Sequence, residues 1–510
     1  MKTSNFDSMA FPSAVFAFRG RWTETQFLFA LVGVLICLRF ILAACLPLSF
    51  DEAYFWLWSK HLAVSYYDHP PLIALSIGAG TLIFGDTEFG VRFVSLLLSV
   101  VTSVAVWRSG EIFSGHEIVG ARACAILNAT LMMTTESLGA TPDALVLCAA
   151  AVLIWSIAQL ESTKDGRWWL AAGLALGLAL FSKYTAFFLS ASVAAWLAIA
   201  PQGRKWLRTP WPYIGASVAV SFLISTIAWN AAHDWISFKF QFGRVEGGHL
   251  TLRYLAELIG SQIALASPFI LVLGIFGLQR ETLTSRLRGP LAFAALIVWP
   301  PLIYFLFHSL HERVQGNWPS FVYPALVLMA ASASTANIAI GSGAPIARFS
   351  SRFALPAATL ILLATYAQAA FNILPLGYAD PIARMTAVGA APVMQDISDL
   401  VQKNHAKAIV TTKYVTTGWL LFYLRPHVPV IQVNEDYRWL SSPQATTEVL
   451  NEPLLYVTQN PSQELASVGQ HFSHIAFVAT LNRIRSGVTI DRFNVYRLSG
   501  FHGTPIGRMP

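Results

Sequence analysis

The sequence predicts a polytopic α-helical membrane protein that ends in a small α/β domain, and three observations predict it. Only 12% of the 510 residues are charged against 55% hydrophobic, too little charge to cover a soluble domain. Apolar runs near the length a bilayer requires recur as far as about residue 373. From about residue 376 the composition shifts, and β-branched runs alternate with helical ones.

Taken in order, residues 1–26 carry Lys2, Arg19 and Arg21 ahead of the first apolar run, with no small-residue cleavage site clearly after it. This reads as a cytoplasmic N-terminus followed by an uncleaved signal anchor. Spans are expected near 27–46, 89–107, 118–135, 142–160, 168–182, 184–200, 211–230, 255–278, 290–307, 319–337 and 354–373, about eleven in all. The run 168–200 is split at Ser182-Lys183, because one helix of that length would measure about 50 Å against a core of about 30 Å. The stretch from Leu72 to Phe84 follows Pro70-Pro71 and is too short to span, so it is expected to lie at the interface.

Basic residues alternate between loops as the positive-inside rule requires. Arg108 and Arg122, Lys164 and Arg167, Arg204 with Lys205 and Arg208, Arg280 with Arg286 and Arg288, and Arg348 with Arg352 fall on the expected cytoplasmic side. The net charge of +7 is therefore a topology signal, and no nucleic-acid partner is implied. Cys37, Cys45, Cys124 and Cys148 lie in or beside apolar runs without zinc-type spacing, and read as packing residues. Three regions are expected: 1–26 cytoplasmic, 27–375 transmembrane with outer loops, and 376–510 an outer α/β domain. With no Walker loop and no GxGxxG in the chain, no nucleotide is expected.

The first outer loop organises the rest. Ser49-Phe50-Asp51-Glu52-Ala53-Tyr54 and Tyr67-Asp68-His69-Pro70-Pro71 bring three carboxylates beside hydrocarbon, where such groups are costly unless paired, hydrated or bound to a cation. The accompanying Trp and Tyr rings read first as interfacial anchors. Asp143 opens the fourth expected span, and Lys183 stands at the break between two apolar runs, where an unpaired ammonium would be expensive.

With Phe89-Gly90-Val91-Arg92 and Thr141-Pro142-Asp143 added, these motifs resemble the polyprenyl-phosphate-dependent glycosyltransferases of the GT-C class. Within it the likeness is to aminoarabinose transferases acting on lipid A, rhizobial lipid A and core galacturonosyltransferases and, more distantly, protein O-mannosyltransferases. It covers roughly residues 25–320. It implies a GT-C-type helical domain in a bacterial inner membrane with a periplasmic active site, a polyprenyl-phosphate sugar donor and a glycolipid acceptor. It maps the catalytic carboxylate onto Asp51, a metal ligand onto Asp68 and a further required acid onto Asp143. His69 stands where the aminoarabinose transferases have a phosphate-binding lysine, a departure that Lys183 can offset.

The residues support the same chemistry. Sugar transfer from a lipid phosphate needs a base for the acceptor hydroxyl and positive charge on the leaving phosphate. Asp51 can be that base; Lys183, Arg92, Arg244 and Arg313 are the outer-face cations for donor phosphate and sugar, together with His69. Arg92 can equally pair with a nearby carboxylate, and Arg244 and Arg313 can snorkel at the interface. Asp68, Glu52, His249 and Glu246 offer ligands for a divalent ion (Mg, Mn or Zn), although His249 and Glu246 also suit an ordinary solvated loop. His308 and His311 can share a helical face or simply be hydrated. The competing reading is a lipid-linked sugar transporter or flippase, but such carriers usually place their sites at the midplane on broken, repeated helices.

Overall fold

The structure is a computed structural model that describes residues 22–243, 250–335 and 344–510. Helix α1 (Glu24–Cys45) begins with a capping box in which Thr23 and Gln26 satisfy each other's backbone donors. A second capping box, between Ser49 and Glu52, opens α2 (Phe50–Lys60), the helix of the acidic loop. Then follow α3 (Leu72–Phe84), the long α4 (Glu88–Ser114), α5 (Glu117–Ala129), α6 (Leu131–Leu138) and α7 (Pro142–Thr163).

The eleven expected spans all fall on helices, but not as eleven uniform rods. Glu24–Cys45, Glu88–Ser114, Pro142–Thr163 and Pro345–Phe371 are single helices long and apolar enough to cross a membrane. Four more stretches are bent pairs, at 67° between α5 and α6 and at 101° between Arg253–Ala266 and Pro268–Thr284, so the described residues hold four such spans, or up to eight. The remaining three, Trp168–Leu180, Ala292–His308 and Ser320–Thr335, are shorter apolar helices, as is α3. At 13 to 17 residues these helices rise only about 20–26 Å, too little for a core of about 30 Å. The chain is a multi-pass membrane protein.

The run 168–200 breaks where expected. Lys183 has extended backbone between the two helices, and the break is tied to its neighbours. Ser182 donates to the Pro142 carbonyl (2.9 Å), and Leu72 N–H donates to the Phe181 carbonyl (3.2 Å). The starts of α3 and α7 therefore meet the break at one end of the bundle.

The C-terminal sheet has strand order β2-β1-β3-β5-β4. Strands β1 (Ala408–Thr411), β2 (Val430–Gln432) and β3 (Leu454–Thr458) are parallel; β4 (Phe472–Arg485) and β5 (Val488–Phe501) form a long antiparallel hairpin beside them. Ser486 and Gly487 make its two-residue turn, both at positive φ as that tight connection requires. The fully buried Arg483 grips Asp491 and the carbonyls of Ala383, Thr386 and Val388, fastening the hairpin to the chain that leaves the last long helix.

The sheet domain is seated on α2. Trp56, Trp58, Trp419, Phe422 and Trp439 share one core, with Trp56 and Phe422 rings 4.9 Å apart edge to face. Gly418 allows the approach: a Cβ there would lie 3.2 Å from the carbonyl carbon and side chain of Ala53.

Candidate active site

Three sequence-predicted acids, Asp51, Asp68 and Asp143, gather at this end of the bundle. Asp51, half-buried in the first turn of α2, lies 3.3 Å from the hydroxyl of Tyr414, which donates to it. Burial drives the Asp51 carboxyl up to about 6; the Tyr414 bond and Arg438 oppose the rise, and Asp68 and Asp143 add to it. Asp68, Asp143 and Arg438 thus all act on the charge of Asp51.

Asp68 is buried and accepts from the Tyr54 hydroxyl (2.7 Å) and from Arg438 (2.5 Å). Burial and the Asp68 charge hold the Tyr54 phenol well above its ordinary value, so it remains a donor. Asp143, on the first turn of α7, receives Lys183 on both carboxylate oxygens at 2.7 Å and Asn317 at 3.1 Å. The expensive ammonium is therefore paired, with the Trp318 ring 5.9 Å away. Glu136, buried beside this pair, accepts from Thr141.

Other expected residues are placed differently. Glu52, expected as a metal ligand, is held by Arg92 at 2.6 and 2.8 Å, and its oxygens also accept from the backbone N–H groups of Ser49 and Ala140. Arg92, expected on the donor phosphate, is buried and spends its remaining donors on the carbonyls of Ala43, Leu46 and Pro47. It is the carboxylate partner and not the phosphate contact. Arg313 is exposed and pairs with Glu257 at 3.0 Å. His69 packs against Phe55, and its carbonyl accepts from Tyr66 N–H. His308 stacks on Tyr304, while His311 faces Phe307, so the two do not make one site. Arg244, Glu246 and His249 lie outside the described residues.

Both Glu52 oxygens are engaged by Arg92, and Asp68 Oδ2 is engaged by Tyr54 and Arg438; the described residues contain no group of three His, Cys, Asp or Glu able to hold a metal.

Sequence reasoning missed the partners from the sheet domain. The loop after β1 supplies Tyr414, and the loop after β2 supplies Glu435, Tyr437 and Arg438. In parallel sheets the crevice outside the carboxyl ends of the strands is the usual ligand end, and here that end faces Asp51 and Asp68. Glu435 fixes the arrangement by accepting from Tyr414 N–H (2.6 Å) at the start of the helix Tyr414–Tyr423. A cavity of about 170 Å³ opens beside it, lined by Tyr66, Tyr67, Trp229, His233, Tyr437 and Arg438 among others.

A many-helix membrane domain, an acidic first loop and a C-terminal sheet closing over it define the class: this is the fold of the GT-C membrane glycosyltransferases. ArnT from Cupriavidus metallidurans bound to undecaprenyl phosphate superposes with a TM-score of 0.61 at 15% identity, covering 94% of this chain and 100% of that one. Its apo form gives 0.60 over 94% and 99%. The family model for dolichyl-phosphate-mannose-protein mannosyltransferase matches residues 68–229. Among curated proteins, the lipid A galacturonosyltransferase RgtD of Rhizobium johnstonii is 24% identical over 58% of this chain and 64% of its own length. The undecaprenyl phosphate-alpha-4-amino-4-deoxy-L-arabinose arabinosyl transferase 1 of Pseudomonas fluorescens is 26% identical over 54% of this chain and 50% of its own. The match thus spans half to two thirds of the length of these two relatives.

Proposed function

We propose that this protein transfers a sugar from a polyprenyl-phosphate donor to a glycolipid, lipid A or lipopolysaccharide core, at the periplasmic face of a bacterial inner membrane. The observation that carries the reading is the meeting of Asp51, with its raised affinity for protons, and the Lys183–Asp143 pair at one end of the helical bundle. The acceptor hydroxyl oxygen attacks the anomeric carbon, the bond from that carbon to the phosphate oxygen breaks with inversion, and the hydroxyl proton passes to Asp51. The phosphate leaves with the bonding electrons. Lys183, paired with Asp143, has three N–H donors and is the ammonium we assign to that charge. A base helps a weakly acidic hydroxyl only as bond formation advances, so orientation and charge stabilisation supply most of the acceleration.

The names of the curated relatives support a lipid A-type acceptor and an undecaprenyl-phosphate donor. The test uses purified full-length protein in nanodiscs with undecaprenyl-phosphate-linked galacturonate, aminoarabinose or mannose and lipid A, read by mass spectrometry. A mass increase of one sugar on the acceptor is expected with one of these donors. Translocation of the donor between leaflets with no transfer to any acceptor would favour the carrier reading instead. A phosphatase fused after Pro510 is expected to be active only outside the cytoplasm; activity of a cytoplasmic reporter alone would overturn the orientation.

A further inference from the structure

Asp68 is the residue that the sequence resemblance assigns to a divalent ion, and a cation already stands on it. Arg438 donates to Asp68 Oδ2, while its Nε lies 3.4 Å from Glu435 Oε1, so one guanidinium joins two carboxylates. Four tyrosine rings surround it, with centroids 4.6 Å (Tyr414), 5.6 Å (Tyr437) and 5.7 Å (Tyr54 and Tyr67) away. Ring faces and carboxylates on all these sides make a cation seat. The Arg438 and Asp68 side chains are only 14% and 12% exposed, and a metal ion ligated through Asp68 Oδ2 would have to take the place of Arg438 there. Glu52, the other carboxylate expected on a metal, is separately consumed by Arg92.

We propose that Arg438 is the resident cation of this site. Its guanidinium fills the seat at Asp68 that a divalent ion would otherwise take, so the site works without metal, and the C-terminal domain completes it by delivering the charge. Arg438 acts as a positioning residue: it fixes Asp68 and Tyr54, and orders Tyr414, which bonds Asp51. The role in transfer rests on the proposed function, but the occupancy of the seat does not.

The experiment therefore separates the two. Full-length protein is equilibrated with Mn²⁺, desalted, and measured by metal analysis and electron paramagnetic resonance. The wild type is expected to retain no stoichiometric ion, and its transfer rate is expected to be unchanged by EDTA or dipicolinate. A retained ion, one per chain, whose removal abolishes transfer would overturn the proposal. Arg438→Ala exposes Asp68 and Glu435 together and is expected to gain a Mn²⁺ site, which Asp68→Asn in the same chain removes. A folded Arg438→Ala that stays free of Mn²⁺ would refute the cation seat. In transfer, Arg438→Ala is expected to fall about 10²-fold, the scale of losing one fixed electrostatic donor, and Arg438→Lys to keep part of the rate while remaining metal-free. An undiminished rate in Arg438→Ala would refute the positioning role. If wild-type protein transfers no sugar, the failure belongs to the proposed function, and the Mn²⁺ measurements still decide the occupancy.

Discussion

Arg92 holds Glu52 through both carboxylate oxygens, at 2.6 and 2.8 Å, with both side chains almost fully buried. The same guanidinium binds the carbonyls at the end of α1, so it locks the first long helix to the helix that carries Asp51. Two adjacent acids in one motif therefore do different work. Asp51 lies with Asp68 and Asp143 at the candidate site, and Glu52 is held in the ion pair with Arg92.

Glu52→Gln is accordingly expected to behave as a folding variant. Removing one partner of a buried ion pair leaves the other uncompensated and costs about 3–5 kcal/mol. Thermal unfolding in detergent should show a large drop for Glu52→Gln and for Arg92→Met, and a smaller one for the double variant. A Glu52→Gln protein as stable as the wild type but unable to transfer sugar would return Glu52 to the chemistry.

Lys183 and Asp143 form the second buried pair, and here the two roles can be separated. Lys183→Ala should destabilise by a similar amount, about 3–5 kcal/mol, because Asp143 loses its cation. Lys183→Met with Asp143→Asn should regain most of that stability without regaining affinity for undecaprenyl phosphate. Donor titration of the double variant checks this, and affinity equal to wild type would make the lysine purely structural. Lys183→Arg should keep part of the affinity, since the charge remains while its geometry changes.

Gly418 is where the sheet domain touches the acidic helix. Any side chain there meets Ala53 at about 3.2 Å, so Gly418→Val overpacks the contact, typically at about 1–3 kcal/mol. The expected result is a protein with intact long helices whose transfer rate falls with the displacement of Tyr414 and Arg438. Crosslinking between engineered cysteines on α2 and the helix Tyr414–Tyr423 reports the displacement. Unchanged rate and crosslinking would show that the contact tolerates the added bulk.

Much of this arrangement was legible in the chain, and what was not has a physical reason. The apolar runs marked the helices, the cost of a lone ammonium singled out Lys183 although not its Asp143 partner, and the β-branched runs marked the sheet domain. Helix bends were not legible: Thr130 and Ser267-Pro268 interrupt apolar runs whose composition alone reads as continuous. Nor could the motifs reveal Arg438, which lies 370 residues from Asp68 in an unremarkable loop and becomes part of the site only when β2 directs that loop toward α2. The sequence leaves Arg92 open between the phosphate and a nearby carboxylate for a related reason, since a cation near a motif says nothing about which carboxylate lies within reach; the structure pairs it with Glu52.

At Asp51 one ionisation governs both rate and stability. Its folded-state value of about 6 lies above the ordinary carboxylate value of 3.8, because burial disfavours the ionised form. As a base it must be ionised, so the transfer rate should fall as pH drops through about 6. For folding the sign is the reverse of a salt-bridged acid: the native state holds this proton more tightly than the unfolded chain, so ionising Asp51 costs stability. That cost is absent below the unfolded value near 4, grows between about 4 and 6, and is fully present above. Asp51→Asn removes the ionisation while nearly preserving shape. It should lower transfer about 10²- to 10⁴-fold, roughly 3–5.5 kcal/mol in the barrier, and remove the acidic limb of any residual activity. The same variant should unfold at a higher temperature than wild type at pH 8 and at about the same temperature at pH 4. Near-normal turnover would pass the role of base to Asp143, and a lower unfolding temperature at pH 8 would mean that the ionised carboxylate is stabilised by its bond from Tyr414 more than burial penalises it.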